Sequence, residues 1–261
     1  MKRLITALRL IHLDSCITPF LAILIPVFLR SNDVALSFGR AMPILFIVVC
    51  TFIANDLADV EKDKVNHPNR PLPSGQITPT IAAILYFIAL FSALFLIRHY
   101  IPESVAFWYY LLTAMSISYR YIVDCIPGLK APYVAATAAV LPLMIASWYP
   151  NGARLYFVAS ATFLFIVGKE ICLDIRDRPG DPFSFMHRFK PIPLAISAIS
   201  LEVLGLLLLM TQVGKPSDFI CLFAMVFMLT LSSYQLFKFA NYNRANILME
   251  FQLIFGIYFL T

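Results

Sequence analysis

A chain of 261 residues in which 60% of side chains are hydrophobic and 13% charged, with mean hydropathy +0.80, carries about half the charge of an ordinary soluble domain. That composition excludes a soluble globular protein and points to an integral membrane protein whose first partner is the lipid bilayer. The net charge of +5 does not imply a nucleic-acid partner, and none is expected, because in a membrane protein the placement of Lys and Arg matters more than their sum.

Apolar stretches of roughly 20 residues, long enough to cross a hydrocarbon core of about 30 Å, recur along the chain with short gaps. The predicted architecture is all-α and polytopic, with nine transmembrane helices at 5–29, 35–57, 77–98, 103–123, 131–149, 153–176, 191–213, 217–239 and 245–261. No stretch is left for a soluble domain, so residues 1–261 read as a single transmembrane domain. The first stretch follows Met1, Lys2 and Arg3 as a signal peptide would. Arg9, His12 and Asp14 interrupt it and no small-residue cleavage site follows, so it is read as a helix. His12 and Asp14 are polar residues at membrane depth, where a mutual or interhelical hydrogen bond is the expected role.

The second span runs into Asn55-Asp56-Leu57-Ala58-Asp59-Val60-Glu61-Lys62-Asp63. Residues four apart share a helix face about 6 Å apart along the axis, so Asn55, Asp59 and Asp63 are expected to form one stripe, with Asp56 one position round. Lys64 and Arg70 follow in a proline-broken loop. Arg120 and Lys130 flank the end of the fourth span. The sixth span ends in Glu170, Asp174, Asp177 and Asp181 at 4, 3, 4 spacing, a second stripe, with Pro179-Gly180 expected to stop the helix. Five cysteines scattered through the spans show no C-x-x-C spacing and read as apolar filler.

With the N-terminus on the cytoplasmic side, only Arg30, Arg40, Arg98, Arg154 and Lys215 of the 20 Lys and Arg fall on the opposite side. This bias puts the loops after spans two, four and six on one cytoplasmic face. Like charges at four-residue spacing destabilise a helix by a few tenths of a kcal/mol per pair, and more beside a low-dielectric slab. A cation with a preference for oxygen would relieve them. Mg²⁺, which binds a few carboxylates and completes its shell with water and phosphate, suits the stripes, and the neighbouring Arg and Lys suit the phosphate. Two opposed sites of this kind would clamp a diphosphate. A cation-coupled transporter would carry its acids near the bilayer midplane, whereas these lie at helix ends.

The same residues resemble the UbiA superfamily of intramembrane prenyltransferases. Asn55, Asp56, Asp59 and Asp63 match its first signature, N-D-x-x-D-x-x-x-D, and His67 to Gly75 (HPNRPLPSG) resembles the loop that follows. Glu170, Asp174, Asp177, Gly180 and Asp181 match its second. The resemblance implies nine helices around a central cavity, open sideways to lipid and capped by cytoplasmic loops. It also implies an Mg²⁺-dependent prenyltransferase that ionises a prenyl diphosphate and passes the prenyl group to an aromatic or lipid acceptor. Asn55, Asp56, Asp59, Asp63, Glu170, Asp174, Asp177 and Asp181 are then the expected metal ligands. Asp56, Asp59, Asp174 and Asp177 are the catalytic set, and Asn55, Lys64, Arg70, Arg120 and Lys130 contact the diphosphate. Some UbiA-like proteins are terpene cyclases with the same metal motifs, so cyclisation without an acceptor is the alternative. After Asp181 this chain reads PFSFMHRFKPIP where many members carry G-x-x-T-L-P, which argues against the quinone, haem and chlorophyll branches.

Overall fold

The computed structural model describes residues 10–126, 128–148, 153–180 and 188–239, together with residues 6, 241, 244, 245 and 247–249. The described elements are helical: α1 (Leu13–Ser31), α2 (Val34–Ala58), α3 (Val60–Asn66), α4 (Pro79–Tyr100), α5 (Glu103–Cys125), α6 (Lys130–Trp148), α7 (Ala153–Arg176), α8 (Pro191–Met210) and α9 (Pro216–Phe239), with a 3-10 turn at Arg178–Gly180. Among the described residues, six helices are long and apolar enough to cross a membrane: α2, α4, α6, α7, α8 and α9. Such helices suit the bilayer because every interior backbone group is satisfied within its own segment.

One predicted boundary is corrected. The span 5–29 is not one helix, because the chain turns at Ile11 and His12 and α1 starts at Leu13. The second span is borne out as α2, and just past it φ and ψ of −99° and 14° at Asp59 separate α2 from α3. The predicted span 245–261 lies almost wholly outside the described residues.

Helix ends follow local chemistry. Asn32 ends α1 in a left-handed conformation, and the Asp33 carboxylate caps α2 by accepting from the Leu36 amide at 3.0 Å. Thr78 caps α4 with Pro79 at its first position, and Pro191 and Pro216 open α8 and α9. Hydroxyls buried or half-buried in the helices return to their own backbone, as Thr51 does to the Ile47 carbonyl (2.9 Å) and Thr113 to Tyr109 (2.8 Å).

The chain forms two compact units, Met1–Asp124 with Pro179–Asp181, and Cys125–Arg178 with Pro182–Thr261. In the first, α2 packs against both α1 and α4. Its core includes Cys16, Val49, Cys50, Ile53, Ala82 and Ala89, and the buried Tyr109 of α5 donates to the Arg40 carbonyl at 2.7 Å. A small cleft in this unit is lined by Ile47, Cys50, Tyr86, Leu90, Thr113, Ser116 and Ile117. In the second, α7 packs against α6 and α8, and α9 against α8. Ile171, Cys172, Ile175, Leu194, Ala195 and Ala198 form part of that core. Close approach of α7 and α8 depends on Gly168, where a Cβ would lie 2.8 Å from the Ala198 carbonyl oxygen. Small residues at such contacts are the usual device of membrane helix pairs, where lipid leaves no hydrophobic force to drive association.

Candidate active site

In the first unit the acidic residues sit where α2 bends into α3. Hydrogen bonding continues through the bend, from the Asp59 amide to the Asn55 carbonyl (2.9 Å) and from the Asp63 amide to the Asp59 carbonyl (2.8 Å). The side chains therefore keep helical spacing, but the grouping differs from the expected stripe. Asp56 and Asp63, seven residues and two turns apart, are both 3% exposed and are joined by one guanidinium. Arg70 Nη1 donates to Asp63 Oδ2 at 2.6 Å and reaches Asp56 Oδ1 at 3.4 Å. Asp56, expected one position round, is thus inside the cluster. Half-buried Asp59 accepts from Arg120 Nη1 at 2.8 Å, and Asn55 is half-buried one residue before Asp56. Lys64 is on the exposed side, paired with Glu61 at 2.6 Å.

The Asp63 carboxyl is pushed above its ordinary value by burial, against the pull of the Arg70 guanidinium, while Asp56 nearby adds to the rise and His67 opposes it. One arginine therefore does not offset the cost of burying this charge.

Asp56 has a further partner that spacing within α2 could not reveal. His12 Nε2 lies 3.0 Å from Asp56 Oδ2, and the imidazole stacks on Phe52 with ring centroids 4.8 Å apart. This is the interhelical hydrogen bond expected of a polar residue in the first span.

In the second unit Lys130, at the start of α6, gathers two carboxylates of α7: its ammonium bonds Asp174 and lies 3.7 Å from Glu170 Oε2. Asp177, just past the end of α7, is chelated by its neighbour Arg176 through Nε (2.6 Å) and Nη2 (2.8 Å). The helix stops before Pro179-Gly180 as expected, and Arg178 Nη2 donates to the Phe189 carbonyl at 2.9 Å. Asp181 lies outside the described residues. Gly180, counted with the first unit, donates its amide to Asn66 Oδ1 at 2.8 Å, and a Cβ there would meet the Asn66 side chain and the Lys62 carbonyl at 2.7 Å. Asn66 carries no signal in the sequence that could have marked it, because its partner is 114 residues away.

Among the described residues no three carboxylates or imidazoles converge as a ready-made metal cage. The six described acids expected to bind metal each meet a basic side chain of the protein instead. Arg70, Arg120 and Lys130, expected to meet phosphate, hold five of them: Arg70 meets Asp56 and Asp63, Arg120 meets Asp59, and Lys130 meets Glu170 and Asp174. The clusters are therefore oxygen donors interleaved with cationic forks and points, able to trade partners with an ionic ligand.

Known proteins share this arrangement of chain. A family model described as the UbiA prenyltransferase family matches residues 20–256. A relative from Methanocaldococcus jannaschii named digeranylgeranylglyceryl phosphate synthase is 30% identical over 196 residues, which cover 69% of this chain and 65% of that protein. The chain thus spans slightly less than two thirds of the length of this curated relative. Among solved structures, a UbiA homologue from Aeropyrum pernix K1 shares the fold with a TM-score of 0.74 at 14% identity, covering 93% of this chain and 95% of that one. A UbiA homologue from Archaeoglobus fulgidus bound to GPP and Mg²⁺ matches with a TM-score of 0.65 at 12% identity, covering 98% of this chain and 99% of that one. A match that takes in both acidic helix ends and nearly every described helix shows that the chain belongs to the UbiA prenyltransferase family.

Proposed function

We propose that this protein is an Mg²⁺-dependent intramembrane prenyltransferase, which ionises an isoprenoid diphosphate and transfers the prenyl group to a lipophilic acceptor. The observation that carries the reading is the interleaving of acid and base at two helix ends, Arg70 between Asp56 and Asp63 and Lys130 beside Asp174 and Glu170. Nine membrane spans around a central cavity, acting as one domain with the acidic helix ends on the cytoplasmic side, remain the architecture that the sequence and the family support.

The donor chemistry fits Mg²⁺, since it is all oxygen and burial leaves Asp63 undercompensated by its arginine. Asn55, Asp56, Asp59 and Asp63 would hold one ion, and Glu170, Asp174, Asp177 and Asp181 another. When bound, the metal supplies positive charge that stabilises a departing diphosphate. Arg70 and Arg120 present planar forks to phosphate oxygens, and Lys130 and Lys64 present point charges. The allylic C–O bond breaks with its electron pair leaving on the diphosphate. An acceptor oxygen then bonds to the allylic carbon and gives up its proton.

The relative's name supports a glyceryl phosphate lipid over an aromatic acceptor. The test is to incubate membranes containing the protein with Mg²⁺ and labelled prenyl diphosphates of several lengths, with and without a prenylated glyceryl phosphate. Acceptor-dependent release of diphosphate and a prenylated lipid are expected. Release without acceptor, with a cyclic hydrocarbon or terpene alcohol as product, would mark the protein as a cyclase. No release from any donor would refute both readings.

A further inference from the structure

We propose that His12 is a positioning residue for the Asp56 carboxylate, holding it in the orientation in which it binds a divalent cation; this rests on the reading of Asp56 as a metal ligand. Three observations converge on His12. Its backbone is left-handed, with φ of 48° and ψ of 51°, a conformation uncommon for a residue with a side chain and one that persists where the surroundings impose it. It occupies the N-cap of α1, yet its side chain makes no capping hydrogen bond. It turns instead to α2, where Nε2 meets Asp56 Oδ2 at 3.0 Å and the ring stacks on Phe52 at 4.8 Å.

The chemistry of the contact fixes its direction. An ionised carboxylate only accepts, so His12 donates from Nε2. Phe52 sets the plane of the imidazole, and the turn at Ile11 and His12 sets its reach. Asp56 is therefore held at both oxygens, by His12 on Oδ2 and at longer range by Arg70 on Oδ1 at 3.4 Å. Arg70 also serves Asp63 at 2.6 Å. His12 is thus the closer of the two partners of Asp56. Partners that orient a ligating side chain in this way are worth about 10- to 100-fold in metal affinity when removed. The left-handed turn is a local cost at a helix start, and local rules are most often broken where a site requires it.

The experiment uses the full chain in lipid nanodiscs and reads Mn²⁺ binding from the loss of the free-ion EPR signal, alongside thermal unfolding in EDTA. His12→Gly keeps the left-handed backbone without strain and deletes only the ring. It is expected to weaken Mn²⁺ binding about 10- to 100-fold. His12→Gln, which retains an N–H donor, is expected to restore binding to within a few-fold of wild type. Asp56→Asn supplies the benchmark for a lost ligand. A folded His12→Gly with wild-type Mn²⁺ affinity overturns the proposal while leaving the metal reading intact, provided Asp56→Asn binds weakly. Wild-type binding by Asp56→Asn overturns the metal reading and the proposal with it. If His12→Gly does not fold, His12→Asn decides, since Asn tolerates the left-handed backbone and its shorter side chain withdraws from Asp56: weakened Mn²⁺ binding supports the proposal, and wild-type affinity in the folded variant is the refuting result.

Discussion

Asp59 and Asp174 illustrate how one acidic side chain is committed by its partner. Each has a cation from another helix, Arg120 for Asp59 at 2.8 Å and Lys130 for Asp174. Replacing either acid by Asn keeps size and hydrogen bonding while removing the charge. Prenyl transfer is expected to fall about 100-fold or more, the scale of losing one electrostatic contributor to a reacting site, with thermal unfolding little changed. Diphosphate release measured on purified Asp59→Asn and Asp174→Asn would check this, and wild-type rates in both would remove these residues from the site. Asp63 makes a different prediction. Burial raises its carboxyl above the ordinary value of 3.8, so the folded protein keeps this proton to higher pH than the unfolded chain does. Its contribution to stability is therefore fully present below pH 3.8 and declines as pH rises through the raised value. In EDTA, Asp63→Asn should gain stability relative to wild type as pH increases across that window, and the difference in unfolding temperature against pH reads it directly. The residue types of both clusters were legible in the sequence. Their pairing was not, because His12 and Asp56 are 44 residues apart and Arg120 and Asp59 are 61 apart.

At the scale of the element, the helices follow from apolar runs bounded by Pro, Asp, Asn and Thr, and these signals placed most boundaries within a few residues. The bend at Asp59 escaped periodicity because the i to i−4 hydrogen bonds run on through it. Only φ and ψ at one residue separate α2 from α3. The turn before α1 was hidden for a related reason: a histidine in left-handed conformation leaves no compositional mark. Helix contact is also an element property. Gly168 on α7 lets α8 approach until a Cβ would stand 2.8 Å from the Ala198 carbonyl and 3.1 Å from Cγ of buried Glu202. The carbonyl is backbone and cannot turn aside, so Gly168→Ala must push the helices apart. A cost of about 1–3 kcal/mol is expected. It should appear as a lower unfolding temperature in detergent, whereas Gly214→Ala, with nothing within 4 Å of its Cβ, should not show it.

For the whole molecule, the bias of Lys and Arg predicts which loops share a face. Single cysteines introduced at exposed Asn69 and exposed Lys215 in a background free of native thiols should react with an impermeant maleimide from opposite sides of sealed vesicles. Labelling of both from one side would overturn the topology. The sequence by itself determined the membrane class, the all-helical fold and the two acidic helix ends, because hydropathy, helix-breaking residues and i, i+4 spacing are local properties of a chain; the family rested on the match of two signature motifs. Only the tertiary structure decided that Arg70 joins Asp56 to Asp63, that His12 meets Asp56 and that Asn66 receives the Gly180 amide. Such contacts are set by how helices bend and dock, and no periodicity along the chain encodes which distant side chain will fill a buried carboxylate's remaining lone pair.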